Sequence, residues 1–480
     1  MVQISINYAK NLHETGEFLK AADAYELILG KIPELTEVFL MIAEDALNKY
    51  QTEIALTLCR RIDLNNPLSH GVLLKLSALF ESAKAYNEAS KVNKIITTKK
   101  PKNAVSWRNL GATLNKARKF DEAEIAMRAA VKLAQNDPIA NAYLSSILRE
   151  KGDYLNALYF AKKAIKLAPD YAPGHILLSE LLLSNGKLKQ GFKEYEWRLK
   201  IDTIFAPVRA IDAPYWNGSK IDGTLLIVGE QGFGDVIQMC RYVALAAKKV
   251  NSVILMVHPP LVKLLQSLKR VTVINFDLTS NFKIKAKISI GSLPHIFKTT
   301  KDNVPASVPY LFPTLNSKAF WKSIDIPLDS MNVGIGWRGN PEGAADRGRS
   351  MELNNFFRLS KIKNINFFSL QKDASDIEIE MWPTNQLVNL GKLINNFDDT
   401  AAAIERLDLI ITTDTALAHV AGSLGKPVWL LLKKYPSWRW IDGRLDSPWY
   451  PTMSLFHQKK IDNWSQVIEI VSQKLKKYDN

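Results

Sequence analysis

NAYLSSILREKGDYLNALYFAKKAIKLAP, residues 141–169, is the most regular copy of a unit that returns every 34 residues. Within it Gly152, Tyr154, Ala157, Ala161, Ala164 and Pro169 stand at fixed offsets. Counting back by 34 from Ala157 meets Ala123, Ala89, Ala55 and Ala21. The place of Tyr154 is held by Phe120, Tyr86 and Phe18, with Thr52 as the exception. That of Pro169 is held by Pro101, Pro67 and Pro33, with Gln135 as the exception. Twelve residues before each key alanine comes another small side chain: Ala9, Ala43, Ser77, Gly111 and Ser145. A period of this length with a small residue at a fixed point predicts paired antiparallel helices stacked into an α-solenoid. The alanine is needed where two helices cross, and the proline is expected to end the second helix. A sixth, degraded unit places Gly191 and Leu188 in these slots, and the amphipathic segment Phe192–Leu199 reads as a capping helix. A stack of this kind serves either to bind peptides or proteins or only for self-association.

The chain has 480 residues with 63 basic and 48 acidic side chains, a net charge of +15 and a pI near 9.4. That balance favours acidic partners such as nucleotide phosphates. The lysines are scattered and no module for reading bases is present, so nucleic acid is not expected as the main ligand. Cys59 and Cys240 exclude a disulfide framework and suit a reducing compartment. The N-terminus carries no basic-then-apolar signal, and no apolar run approaches the roughly 18 residues that span a bilayer. A cytoplasmic location without an integral membrane segment is expected.

After the turn-rich stretch containing Pro207, Pro214, Asn217, Gly218 and Gly223, the texture changes. Short apolar runs at Thr224–Val228, Val253–Val257, Val271–Phe276, Ile288–Ile290, Val333–Gly336, Asn366–Leu370, Leu409–Thr412 and Val428–Leu432 alternate with helical stretches. Such alternation predicts parallel α/β sheets. The break at Pro305–Pro313, followed by the helix-like Ser317–Ile324, divides the region in two. The expected organisation is a solenoid over 1–200, a linker over 201–222, and two Rossmann-like halves over 223–325 and 326–480. Ligands of such halves sit at the carboxyl ends of the strands.

Three segments stand at strand ends. Gly229-Glu-Gln-Gly232-Phe-Gly234-Asp235 is spaced G-x-x-G-x-G, the reverse of the dinucleotide fingerprint, so a nicotinamide cofactor is not supported. Its glycines would let backbone N–H groups approach a ligand. Asp235, in the first helical turn, reads either as a general base or as an aspartate that complements the helix dipole. Next, Val333-Gly-Ile-Gly336-Trp-Arg338-Gly339-Asn340 matches G-x-G-x-x-G literally, but encloses Trp337 and runs into a polar loop. Arg338, Arg347 and Arg349 there suit a diphosphate or form a solvated basic loop. Third, in Leu409–Leu432 a buried strand ends at Thr412–Asp414, and Asp414 or Thr415 caps a short helix that Gly425 ends. Its amino end offers unpaired N–H groups to an anion, and His419 either reaches a phosphate or is structural. Ala416, Ala418, Ala421 and Gly422 would let this helix pack closely. The scattered histidines and two cysteines supply no metal set. Trp438, Trp440, Trp449 and Tyr450, interleaved with Arg439 and Arg444, either stack on a base or sugar or pack the C-terminal tail.

Together GEQGFGDVIQMCRY, VGIGWRGN, DRGRSM, FFSLQKD, DLIITTDTALAHVAGSLGKPVWLLL and WRWIDGRLDSPWYP resemble bacterial tetratricopeptide-repeat glycosyltransferases. Their catalytic part is similar to heptosyltransferases of glycosyltransferase family 9. The resemblance implies a GT-B arrangement, with the nucleotide-sugar donor in the C-terminal half, the acceptor toward the N-terminal half, and no required metal or resident cofactor. Asp235 then matches a proposed general base, and Arg349 falls where a basic residue meets the donor phosphates. Thr415, Ala416 and Leu417 would give backbone N–H groups to the pyrophosphate, beside Asp414 and His419. Gln371 and Lys372 would lie near the nucleoside, with Arg338 also on the donor side. Gly232, Gly234, Gly336, Gly339 and Asn340 would support the loops. The implied activity is inverting sugar transfer to a hydroxyl of a protein chosen by the repeats. The rivals are a repeat scaffold with a degenerate nucleotide-binding domain, and a transferase acting on lipid or polysaccharide.

Overall fold

The computed structural model describes residues 5–30, 33–201, 206–276, 282–340, 346, 348–384 and 387–478. These form two compact units, 1–177 and 178–480.

In the first unit the helices run in pairs: Ile6–Glu14 with Phe18–Leu29, Pro33–Asn48 with Thr52–Arg60, His70–Ser82 with Tyr86–Lys99, Ala104–Lys116 with Phe120–Leu133, and Pro138–Glu150 with Tyr154–Leu167. These are tetratricopeptide-like repeats. The aromatic slot is the first residue of each second helix. Ala21, Ala55, Ala89, Ala123 and Ala157 are at most 1% exposed. The helices of a pair touch where the two small slots face each other. A Cβ on Gly111 would lie 2.8 Å from Met127 Cε and 3.3 Å from Ala123 O, and Ser145 Oγ donates to Ala157 O at 2.6 Å. Pro67, Pro101 and Pro169 follow the ends of second helices, as expected, but one member of the slot departs. Pro33 opens the next helix instead of closing the last, a position where its missing N–H costs nothing.

A second 34-residue phase emerges at the turn inside each pair. Gly16, Tyr50, Lys84, Arg118, Gly152 and Gly186 all have φ between 58° and 85°. In each case the following N–H reaches back five residues to a carbonyl, as from Glu17 to Leu12 and from Gln51 to Ala46, both at 2.8 Å. This is the Schellman ending of the first helix, and it asks for a left-handed residue. Three repeats meet it with non-glycine residues. Tyr50 is 95% exposed and loses little if removed, so Tyr50→Gly is expected to stabilise the solenoid by about 0.5–1 kcal/mol. Urea denaturation checks this, and a destabilised variant would contradict the left-handed turn.

In the second unit, helix Leu188–Tyr195 is followed by the 3-10 turn Glu196–Lys200, where one capping helix was expected. Ser179 Oγ donates to Gly191 O at 2.9 Å, the same contact as in the repeat above. A Cβ on Gly191 would stand 2.5 Å from Leu183 Cγ, which explains glycine in the alanine slot.

Two parallel sheets follow. The first contains β1 (Ile221–Val228), β2 (Val250–Met256), β3 (Val271–Ile274) and β4 (Ile284–Ser289) in the order β3-β2-β1-β4. The second contains β5 (Met331–Gly336), β6 (Ile365–Ser369), β7 (Leu387–Asn389), β8 (Leu409–Thr413), β9 (Val428–Leu432) and β10 (Met453–His457) in the order β10-β9-β8-β5-β6-β7. Helix Leu315–Lys322 lies between them in sequence, and Thr314 caps it. The strand order reverses beside β1 and beside β5, so the crevices lie between the carboxyl ends of β1 and β4 and of β5 and β8. Leu225, Ile227, Ile410 and Leu430 belong to one buried core that joins both sheets. Trp438, Trp440, Trp449 and Tyr450 are buried in it, which decides for the packing role of that aromatic segment. Both cysteines are buried, and burial pushes their thiols up to about 12. Among the described residues no helix is long and apolar enough to cross a membrane.

Candidate functional site

The crevice of the first sheet is filled by the chain itself. Glu230, just after β1, accepts from Gly291 N at 2.9 Å and from Ser289 Oγ. Arg198 meets the same carboxylate through Nη2 at 2.6 Å and Nε at 3.3 Å, and gives Ser292 Oγ a further bond at 2.9 Å. The two side chains are 2% and 4% exposed. Burial works against the charge of Arg198, but Glu230 and Glu196 outweigh it and hold its pKa above that of a free arginine. The space left for a ligand therefore belongs to the second sheet and the helices that face it.

Two helix starts meet there. Helix Phe233–Met239 follows β1 with Gly232 at its N-cap, and Asp235 Oδ2 accepts from Gly232 N at 3.0 Å, closing a capping box. Helix Ala416–Ser423 follows β8 with Thr415 at its N-cap. Thr415 is one of the two residues expected at this cap, but its side chain makes no cap hydrogen bond. The amides of its first turn thus keep their anion-binding potential. A Cβ on Gly234 would lie 2.7 Å from His419 Cδ2 and 3.5 Å from Ala416 Cα. Gly234 is therefore needed for the close approach of the two helices, a different use from the loop–ligand approach expected of it. Gly422 likewise makes room for the Tyr450 ring, with 2.5 Å to Cδ1. Gly425, at φ +74°, ends the second helix.

His419 is 3% exposed, accepts from or donates to Tyr450 OH at 2.9 Å through Nδ1, and stacks on Trp440 at 5.3 Å. Burial, then the charges of Arg439, Arg241 and Arg349, hold its pKa well below 6.5. Folded His419 is thus neutral where the unfolded chain would take a proton, so its contribution to stability is present above pH 6.5 and lost as pH falls. Relative to His419→Gln, the wild type should lose up to about 1.4 kcal/mol more per pH unit below that point. Denaturation midpoints measured from pH 7 to 5 test this; parallel curves would contradict a buried neutral imidazole. Burial also lifts the Asp414 carboxyl above the usual range, against the pull of Arg439.

The other sequence candidates divide. Arg349 lies beside Gly339, with Nη2 2.8 Å from where a Cβ would be, and its charge reaches Asp414 and His419. Its Nε meets Asp346 at 3.3 Å. Gly336 leaves room for Leu417, whose Cδ2 is 2.6 Å from the site of a Cβ. Arg338, in contrast, donates to Glu378 Oε1 and Oε2 at 2.5 and 2.8 Å and to Asp373 Oδ2 at 2.9 Å. It would have to break both pairs to reach a phosphate. Gln371 accepts from Trp337 N and Arg338 N, each at 3.1 Å, and donates to Arg338 O and Asp373. Its amide shapes the loop after β5, leaving little for a nucleoside. Lys372 donates to Asn395 O at 3.3 Å, and Asn340 is exposed. Arg347 lies outside the described residues. Among the described residues no His, Cys, Asp and Glu cluster forms a metal-ligand set.

Arg439 was legible only as part of an aromatic run. Its Nη2 donates to Asp235 Oδ1, and Nη1 donates to Ser437 Oγ at 2.7 Å. Arg241, which nothing in its local sequence marks, bonds Trp449 O, Pro305 O and Tyr310 OH at 2.5, 3.2 and 3.0 Å and ties the two halves together. A cavity of about 560 Å³ lies elsewhere, lined by Leu328, Met331, Asp408, Pro427 and Trp429 at the amino ends of β5, β8 and β9. In parallel sheets ligands take the opposite edge.

No family model matches the chain. It is similar to the protein FlbA of Caulobacter vibrioides, 21% identical over 501 residues, covering 97% of this chain and 82% of that one. Solved structures similar to it include MamA, 18% identical over 33% of this chain and 93% of that chain, with a TM-score of 0.29. Another is TTC0263, a thermophilic TPR protein in Thermus thermophilus, 18% identical over 34% and 90%, also at 0.29. The repeat fold rests on the chain's own 34-residue geometry rather than on these likenesses.

Proposed function

We propose that this chain is a glycosyltransferase of the GT-B type that moves a sugar from a nucleotide donor to a protein hydroxyl, with inversion and without a metal. One observation carries the reading: a helix start without a side-chain cap bond, Thr415–Leu417, stands beside a helix start bearing a carboxylate, Asp235, at the carboxyl ends of parallel strands. The first suits a departing diphosphate and the second an attacking hydroxyl. Donor phosphates would meet the amides of 415–417 and Arg349, with electrostatic stabilisation of the leaving group as the main catalytic term. Asp235 would take the hydroxyl proton. The solenoid suits recruitment of the acceptor protein, since stacked helix pairs present extended binding surfaces.

A specific observation favours a second reading, a nucleotide-sensing scaffold without turnover: both oxygens of Asp235 already accept hydrogen bonds. Incubation of the full chain with UDP-, ADP-, GDP- and CMP-linked sugars separates the two. Donor turnover, and transfer to the native acceptor that is lost from a chain beginning at residue 178, is expected. Binding without turnover across the panel would favour the scaffold. Undiminished transfer by the shortened chain would point to a lipid or polysaccharide acceptor.

A further inference from the structure

Arg439 stands among the charged groups of both helix starts. It sits in the 3-10 turn Trp438–Trp440, its side chain 16% exposed and its guanidinium 4.5 Å from the Trp438 ring centroid. Besides the bonds to Asp235 and Ser437, its charge acts on Asp414 and His419. The buried Thr413 Oγ1, at the end of β8, has no hydrogen-bond partner, a state that native structures rarely leave unexplained. Asp235 in turn has one oxygen on Arg439 and the other on the Gly232 amide. Held so, it is poorly placed to accept a hydroxyl proton.

Resting on the sugar-transfer reading, we propose that Arg439 is a substrate-operated switch that holds Asp235 in the free protein and passes to the donor diphosphate on binding. A diphosphate offers paired oxygens and more negative charge than a carboxylate, so it competes well for a planar guanidinium. Arginine stays protonated throughout, and the exchange moves no proton. The freed Asp235 carboxylate then takes the proton of the acceptor hydroxyl. The acceptor oxygen bonds to the anomeric carbon, the bond from that carbon to the diphosphate oxygen breaks, and its electron pair leaves with the nucleoside diphosphate. Arg439 faces the charge that accumulates there. The base is thereby armed only when a donor is present.

Calorimetric titration of the full chain with UDP, ADP, GDP and CDP, and with the nucleoside of whichever binds, tests the switch. Asp235→Asn, which can still accept from Gly232 N, removes the competitor for the guanidinium and is expected to tighten the diphosphate by about five- to tenfold. The nucleoside should be unchanged. Arg439→Gln should weaken the diphosphate by about tenfold or more with the nucleoside again unchanged. Adding Asp235→Asn to Arg439→Gln should produce no further tightening. Arg439→Lys keeps the charge and serves as the folded control. A diphosphate affinity unmoved or weakened by Asp235→Asn overturns the switch and leaves sugar transfer standing. Failure of the wild type to bind all four diphosphates overturns both.

Discussion

Arg198→Ala is expected to destabilise the α/β unit by about 3–5 kcal/mol, because it leaves a buried carboxylate without its countercharge. Glu230 is 4% exposed, and its remaining partners, Ser289 Oγ and Gly291 N, are neutral. The loss should be largely repaired by Arg198→Met with Glu230→Gln, since exchanging both members of a buried pair for neutral groups is far less costly than orphaning one. Chemical denaturation of the two variants decides the point. A small effect of Arg198→Ala would mean that Glu230 is hydrated or protonated at no cost. The same pair fixes where the chain can be divided. A chain beginning at residue 178 keeps Arg198 and should fold; one beginning at 201 lacks it, loses the aromatic contacts of Phe192 and Tyr195 with Trp438, and should not.

Asp235→Asn is expected to lower donor turnover by a factor of about 10²–10⁴, the range associated with loss of a positioned general base. The amide preserves the shape and can keep the Gly232 bond, so the fold should survive and the nucleoside diphosphate should bind at least as tightly as to the wild type. Turnover within a few-fold of wild type would remove Asp235 from the chemistry and leave it as a helix cap and a partner for Arg439.

The solenoid was legible because each repeat solves the same packing problem with the same residue, so that Ala21 and Ala157 report one helix crossing. The left-handed turn was less visible because Tyr50, Lys84 and Arg118 occupy a place that Gly16, Gly152 and Gly186 mark. Eight strand cores could be read from their apolar runs. The edge strands β7 and β10 could not, being short or flanked by loop-like sequence. Within the candidate site, local chemistry placed the helix starts at Asp235 and Thr415. Partners distant in sequence escaped. Arg439 is 204 residues from Asp235, and nothing near Trp438 announces which carboxylate it meets. By residue type Arg338 suits a phosphate, yet Asp373 and Glu378 satisfy it from the segment after β6. Type alone names a charge without its partner.

In the proposed site, one anion lies across the two helix starts at the carboxyl edge of the second sheet. Amide chemical shifts recorded while a nucleoside diphosphate is titrated into the chain test it most directly. The largest shifts are expected at Thr415, Ala416, Leu417 and Gly232–Asp235, with the Arg439 side-chain signals following. Shifts centred instead on Leu328, Met331 and Trp429, at the opposite edge of the sheet, would contradict it.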